Sequence, residues 1–313
     1  MFRRNEVLII YHRVDFDGIF SCCVAKDHYS KNPNNFITTL GWNYGDDLPN
    51  FDEIINTYNE VVMVDISFKP EYMIKMKEVL QYPTYALNGI IWIDHHFTAI
   101  QDSVKFGYSD LQGIRGYEYS AAEYCWNYYN KKEAPKIVKY ISTYDNWNKA
   151  RFDWENNILP LQYSLKEHYS VSEKNIWGDW KNLIEDEEYL EDLIYDGRLI
   201  YSFLKKHWKS AVKNFSFPVR VADKYNGVCI ISTEFGSNQF ESVLNEYDIY
   251  IVVNRRGPDC FSISMYKEPD RITEFSCGGY TTKLGNTQMG HISASGSQLN
   301  LKQFEQLIET CEI

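Results

Sequence analysis

Three short apolar runs in the first hundred residues each break off into acid, two of them with imidazole beside it. They read "VLIIYHRVDFDG" from Val7, "VVMVDIS" from Val61 and "IIWIDHH" from Ile90. Four or five consecutive apolar residues, rich in Val and Ile, fit a strand covered on both faces. Helical patterns lie between and after them: residues 18–29, "PEYMIKMKEVL" with Pro70 in its first turn, and "YSAAEYCWNYYN". Residues 36–44 read as a weaker strand. This alternation predicts an α/β fold built on a doubly wound, mostly parallel sheet. In such a sheet the clusters His12/Asp15/Asp17, Asp65 and Asp94/His95/His96 share the carboxyl edge of the strands. Ligands of open α/β sheets bind at that edge, where strand order reverses.

From about 153 to 212 the pattern changes. The stretch "WGDWKNLIEDEEYLEDLIYDGRLIYSFLKKHWKSAV" sets apolar residues at helical spacing with charges between, and Pro218 follows as a boundary. Beyond it, "VRVA", "GVCIIST", "DIYIVVNRR" and "CFSISMY" read as strands and "NLKQFEQLIETCEI" as a closing helix. The expected organisation is therefore an α/β domain over 1–152 that carries these clusters, a helical connector over 153–215 and a smaller α/β domain over 216–313. The active site is expected in the cleft between the two α/β domains.

The net charge of −11 over 313 residues shows no excess of the basic residues that a grip on long nucleic acid normally needs, so long nucleic acid is not expected as a partner. Small anionic substrates remain open, because metal ions reverse the field locally. Seven cysteines without a C-x-x-C pair suit reduced thiols. The basic start carries too short an apolar run for a secretory signal, and no stretch reaches the length of a membrane span. A soluble, cytoplasmic protein is expected.

Imidazole and carboxylate together suit a borderline divalent ion, with Mn²⁺ preferred and Mg²⁺ or Co²⁺ as substitutes. Seven candidate ligands exceed the needs of one ion, so two ions bridged by a carboxylate is the economical arrangement. Such a pair generates a hydroxide nucleophile at neutral pH and clamps a phosphoryl group. Any single Asp behind a strand is ordinarily a helix cap or turn residue. Three clusters at one sheet edge outweigh that reading.

The motifs "HRVDFDG", "VDIS" and "DHH", in this order, resemble those of the DHH phosphoesterase superfamily. That superfamily includes RecJ-type exonucleases, nano-RNase oligoribonucleases, cyclic-dinucleotide phosphodiesterases and manganese-dependent pyrophosphatases. The resemblance implies that His12 and Asp15 bind one Mn²⁺, Asp17 and His95 the other, and that Asp65 bridges them. It implies that His96 contacts phosphate or donates a proton and that Asp94 orients the site. A fourth motif matches best at "ISTYDNW", which makes Asp145 a further ligand with Asp153 as its competitor.

Near the end, "GNTQMGHISASG" resembles the family's glycine-rich G-G-G-H-x-x-A-S-G motif at Gly290, His291, Ala294, Ser295 and Gly296. Thr287, Gln288 and Met289 replace the glycines before the histidine. Gly290, His291, Ser295 and Gly296 are thus implied substrate contacts. Arg255 and Arg256, in "NRRG" behind a strand, are candidate phosphate clamps by their forked donors. The expected activity is metal-dependent phosphodiester hydrolysis of short or cyclic oligonucleotides or another small nucleotide, with a homodimer compatible. An inorganic pyrophosphatase, or a non-enzymatic module that senses or sequesters a nucleotide, are the rival readings.

Overall fold

Strand β1 (Asn5–His12) lies at the heart of a four-stranded parallel sheet. It pairs on one side with β2 (Asn35–Trp42) and on the other with β3 (Glu60–Val64), which in turn pairs with β4 (Gly89–Ile93). The order β2-β1-β3-β4 reverses direction between β1 and β3, so the crevice of the doubly wound sheet opens at the ends of those two strands. Register then fixes the polar residues. Tyr11 pairs with Val64 and Val64 with Ile93, which sets His12, Asp65 and Asp94 abreast on neighbouring strands.

These observations come from a computed structural model, which describes residues 4–232, 237–244, 246–267, 272–283 and 294–309. The chain forms two compact units, Met1–Tyr201 and Ser202–Ile313.

In the first unit the apolar runs are buried throughout, as strands covered on both faces require. One face carries Leu8, Ile10, Met63 and Trp92 against Met73 and Met76 of α3 (Pro70–Val79). Over the other face, α1 (Phe16–Ser30) packs beside α5 (Ala121–Tyr129). Helices α2 (Phe51–Thr57), α4 (Phe97–Phe106) and α6 (Lys136–Asp145) complete the layers.

The expected connector contributes to both units. Its π-helical turn Trp154–Ile158, α7 (Leu159–Tyr169), α8 (Glu173–Gly178) and α9 (Trp180–Glu185) bury Ile158, Leu161, Leu165 and Ile176 inside the first unit. Trp180 packs edge-on against Phe20 of α1. The division between units falls within the 29-residue helix α10 (Glu187–Phe215). Its apolar stripe continues past Tyr201, so hydropathy carries no mark at the division.

The second unit holds a mixed sheet of order β5-β6-β7-β8-β9. Its strands are β5 (Ser216–Val221), β6 (Tyr225–Ile231), β7 (Ile249–Gly257), β8 (Cys260–Tyr266) and β9 (Ala294–Leu299). Only β6 and β7 run parallel. A 3₁₀ turn (Ser237–Val243), α11 (Cys277–Lys283) and α12 (Leu301–Glu309) accompany it. Strand β9 escapes the sequence reading because its buried face is Ser295, Ser297 and Leu299. Hydropathy shows no alternation when the inward residues are serines. No helix among the described residues is long and apolar enough to cross a membrane.

Gly18 is dictated by contact. A Cβ there would collide with the carbonyl oxygen of His12, because α1 starts hard against the end of β1. Gly18→Ala should therefore cost about 1–3 kcal/mol through overpacking. Chemical denaturation of both proteins without metal measures it; an unchanged midpoint would show that α1 can move away from β1.

Candidate metal centre

The loop between β1 and α1 uses its acids twice. Asp15 is the N-cap of α1, where Oδ1 accepts from Gly18 N at 2.9 Å. Its other oxygen, Oδ2, lies 2.8 Å from His12 Nδ1. Asp17, in the first turn of α1, is buried and reaches the start of α5. There it accepts from Ser120 Oγ, from Ala121 N at 2.9 Å and from Ala122 N at 3.0 Å. The cap reading and the cluster reading of these acids are both realised.

Asp65 follows β3 with φ at +58°, a left-handed conformation that a residue with a side chain adopts at a cost of order 1 kcal/mol. Its N–H donates to Ile93 O at 3.0 Å, which helps hold that geometry. Asp65 is 1% exposed, and its carboxylate divides its two oxygens. Oδ2 lies 3.5 Å from His12 Nδ1, whereas Oδ1 lies 3.2 Å from His95 Nε2 and 3.7 Å from His96 Nδ1.

Asp94 is fully buried and fully engaged. Its Oδ1 accepts from His95 N, from His96 N and from His96 Nδ1 at 2.8 Å, while Oδ2 accepts from Trp92 Nε1. It holds the Asp-His-His turn in shape. Asp145 ends α6 and brings Oδ2 within 3.1 Å of His95 Nε2. A carboxylate at a helix C-terminus opposes the helix dipole, so it needs a nearby cation. Its competitor Asp153 is exposed and caps the π-helical turn, accepting from Asn156 N at 3.0 Å. It stands outside the cluster.

Two asparagines orient the imidazoles. His12 Nε2 lies 3.0 Å from Asn43 Oδ1, and His95 Nδ1 lies 3.1 Å from Asn146 Oδ1. An amide oxygen can only accept, so each ring donates there and turns its other nitrogen toward the carboxylates. Tyr44 packs edge-on to both His12 and His96, with ring centroids 5.7 and 6.1 Å away. Asn43, Tyr44, Ser120 and Asn146 are the contributors that the sequence reading missed. Asn146 had a signal in its place beside Asp145, and Asn43 in its place just past β2. Nothing in the sequence ties Ser120 to Asp17.

Without metal the cluster stores protons. Burial opposes a charged His12, but Asp15 and Asp65 outweigh it and raise the ring to about 10. His95 is raised to about 11, where Asp65, Asp17 and Asp145 overcome burial. Burial and the neighbouring Asp65 raise Asp145 to about 7, and the same two causes push Asp17 well above the carboxylate range. Asp65 is held below that range: His12 and His95 overcome its burial.

The donors form three groups whose atoms lie within 4.8 Å of one another: His12/Asp15/Asp65, Asp17/His95/Asp145 and Asp65/His95/His96. His12 Nδ1 and Asp65 Oδ1 are buried yet make no aligned hydrogen bond, despite charged atoms at 2.8 and 3.2 Å. Donors that converge without bonding fit divalent ions, and the mixed imidazole and carboxylate set fits Mn²⁺. Asn146→Ala should weaken Mn²⁺ binding roughly 10- to 100-fold by freeing the His95 ring. Titration followed by electron paramagnetic resonance reads this directly; unchanged affinity would remove Asn146 from the site's support.

In the second unit Arg255 and Arg256 are exposed at the end of β7. Their Nε atoms donate to Gly257 O and to Ser262 Oγ. Ser295 and Gly296 lie in β9, opposite Met265 and Ser264 of β8. The Ser295 hydroxyl is buried 2.6 Å from Thr281 Oγ1. Gly290 and His291 lie outside the described residues.

No protein-family model matches the chain, and no curated protein matches it in sequence. Solved structures do match. The DHH domain of a protein assigned to a family of ribosomal proteins aligns over 98% of this chain and 85% of its own, at 14% identity and a TM-score of 0.60. This chain has the fold of that DHH domain. A second match is the pGpG-specific phosphodiesterase PggH from Vibrio cholerae, at 14% identity and a TM-score of 0.53. That alignment covers 98% of this chain and 96% of the other. Exonuclease RecJ bound to manganese also aligns, over 97% of this chain and 88% of its own, at 10% identity and a TM-score of 0.44.

Proposed function

We propose that this DHH-fold protein is a metal-dependent phosphodiesterase acting on short or cyclic oligonucleotides, with two Mn²⁺ ions as its cofactor. The observation that carries the reading is the division of Asp65, one oxygen toward His12 and the other toward His95. His12 and Asp15 would hold one ion, Asp17, His95 and Asp145 the other, and Asp65 both. Two such ions activate a water at neutral pH and neutralise charge on the phosphoryl oxygens.

The chain's own residues supply the remainder. Asn43 and Asn146 fix the tautomers of His12 and His95, so ligand nitrogens need no reorientation when substrate arrives. His96 gives Nδ1 to Asp94, leaving Nε2 for the substrate. Burial lowers its pKa, but Asp94 more than offsets this and raises it, which favours the ring as a proton donor to the leaving oxygen. Arg255, Arg256, Gly290, His291, Ser295 and Gly296 keep their proposed part in holding the rest of the substrate. The net charge of −11 favours small substrates over long nucleic acid. The similarity in fold to a pGpG-specific phosphodiesterase supports the same class.

The deciding assay offers purified protein with Mn²⁺ a set of linear dinucleotides, cyclic dinucleotides, a nucleoside bisphosphate and pyrophosphate, read by chromatography. Cleavage of one or more dinucleotides is expected. Phosphate release from pyrophosphate alone, or tight nucleotide binding without turnover, would overturn the proposal.

A further inference from the structure

A cleft of about 200 Å³ opens beside the metal centre within the first unit. Asp15, Asp17 and Asp145 form the wall it shares with the donor cluster. Gln162 and Lys166, one turn apart on α7, also line it. The other walls are apolar: Val14, Phe16, Ile141 and Val171, with the ring of Tyr144. Nothing in the metal chemistry above uses α7.

Gln162 is the unusual member. It is 3% exposed, and its Nε2 has no hydrogen-bond partner among the described residues. A buried amide donor left unpaired costs stability, whereas a leucine of similar shape would not. Lys166 is exposed, its Nζ lies 6.0 Å from the centroid of the Tyr163 ring, and burial of part of its surroundings lowers its pKa. Two donors one turn apart, each lacking an acceptor among the described residues, line a slot with apolar walls. A phosphate would want more donors than these and would gain nothing from Val14, Ile141 or Tyr144. A nucleobase has apolar faces for such walls and fits within about 200 Å³.

We infer that this cleft is a nucleobase subsite that selects the base beside the scissile phosphate, with Gln162 and Lys166 donating to an edge made of two adjacent acceptors. Guanine presents such an edge in O6 and N7; adenine puts an amino donor where O6 would be. Specificity therefore comes from a mismatch as well as a match, because adenine sets a donor against a donor. The inference rests on the phosphodiesterase reading and adds its base preference.

The test uses the full chain loaded with Mn²⁺, the variants Gln162→Leu and Lys166→Met, and two readouts. Isothermal titration with GMP and AMP measures binding without turnover, and kcat/KM for GpG and ApA measures hydrolysis. Wild type should favour guanine roughly tenfold in both, and each variant should erase most of that preference with Mn²⁺ affinity unchanged. Gln162→Leu should keep or raise the melting temperature, so a folding defect will not imitate the result. Equal affinity of wild type for GMP and AMP overturns the inference. So does an equal loss for both in the variants, which would assign the two residues to the phosphate. Guanine preference in binding with no dinucleotide cleaved would uphold the subsite and remove the phosphodiesterase reading. Cleavage without base preference would do the reverse.

Discussion

Asp65→Asn is expected to leave a folded protein with kcat/KM on its best dinucleotide lowered at least about a thousandfold, the scale of losing a centre that stabilises transition-state charge. Asn is the informative replacement because it tolerates a positive φ, which Ala at +58° would not do as readily. It also keeps the shape of the carboxylate while giving up the charge and one of two acceptor oxygens. His12 and His95, which both rely on Asp65, should titrate at lower pH in the variant. Steady-state kinetics at saturating Mn²⁺, beside circular dichroism, checks the claim. Turnover within tenfold of wild type would show that no shared carboxylate is needed.

The second large effect is linked to protons. At neutral pH the metal-free protein carries an extra proton on His12, raised to about 10, and on His95, raised to about 11. Each must leave before its nitrogen can serve as a ligand, so protons and metal compete. The sign follows: apparent Mn²⁺ affinity rises with pH through the range from about 6 to 8. It should rise about tenfold per unit for each proton displaced, with roughly one proton released at the His12 side and more at the side of Asp17, His95 and Asp145, where both carboxylates are raised as well. Calorimetry in buffers of different ionisation enthalpy counts those protons. Chelation by EDTA should abolish turnover, and Mn²⁺ should restore it better than Mg²⁺, which prefers an all-oxygen shell. Affinity that stays flat with pH, or activity that survives EDTA, would falsify this account.

Much of the first unit is legible in the sequence because its strands are buried on both faces and so appear as unbroken apolar runs. The same runs end in charge, and parallel register carries those ends to one edge. The pattern alone therefore brings His12, Asp65 and Asp94 together. Asp145 is harder, since it closes a helix far along the chain and only its local motif marks it. The supports are illegible for a different reason. Asn43, Asn146 and Ser120 act through single hydrogen bonds across 31, 51 and 103 residues, and neither periodicity nor composition responds to one bond. In the second unit β9 hides its inward face behind serines. The division inside α10 leaves no trace either, because the helix does not stop there.

Asp15 bears on how mutants of this site should be read. One oxygen ties down the start of α1 and the other belongs to the ion cluster, so truncation to alanine removes two unrelated functions at once. A scan that ranks residues by loss of activity would overrate it as a ligand, and one that ranks by melting temperature would misfile it as a structural residue. Asp15→Asn separates the two, since an amide oxygen still caps a helix while the site loses its anion. Asp17, anchored to the N–H groups of α5, calls for the same treatment.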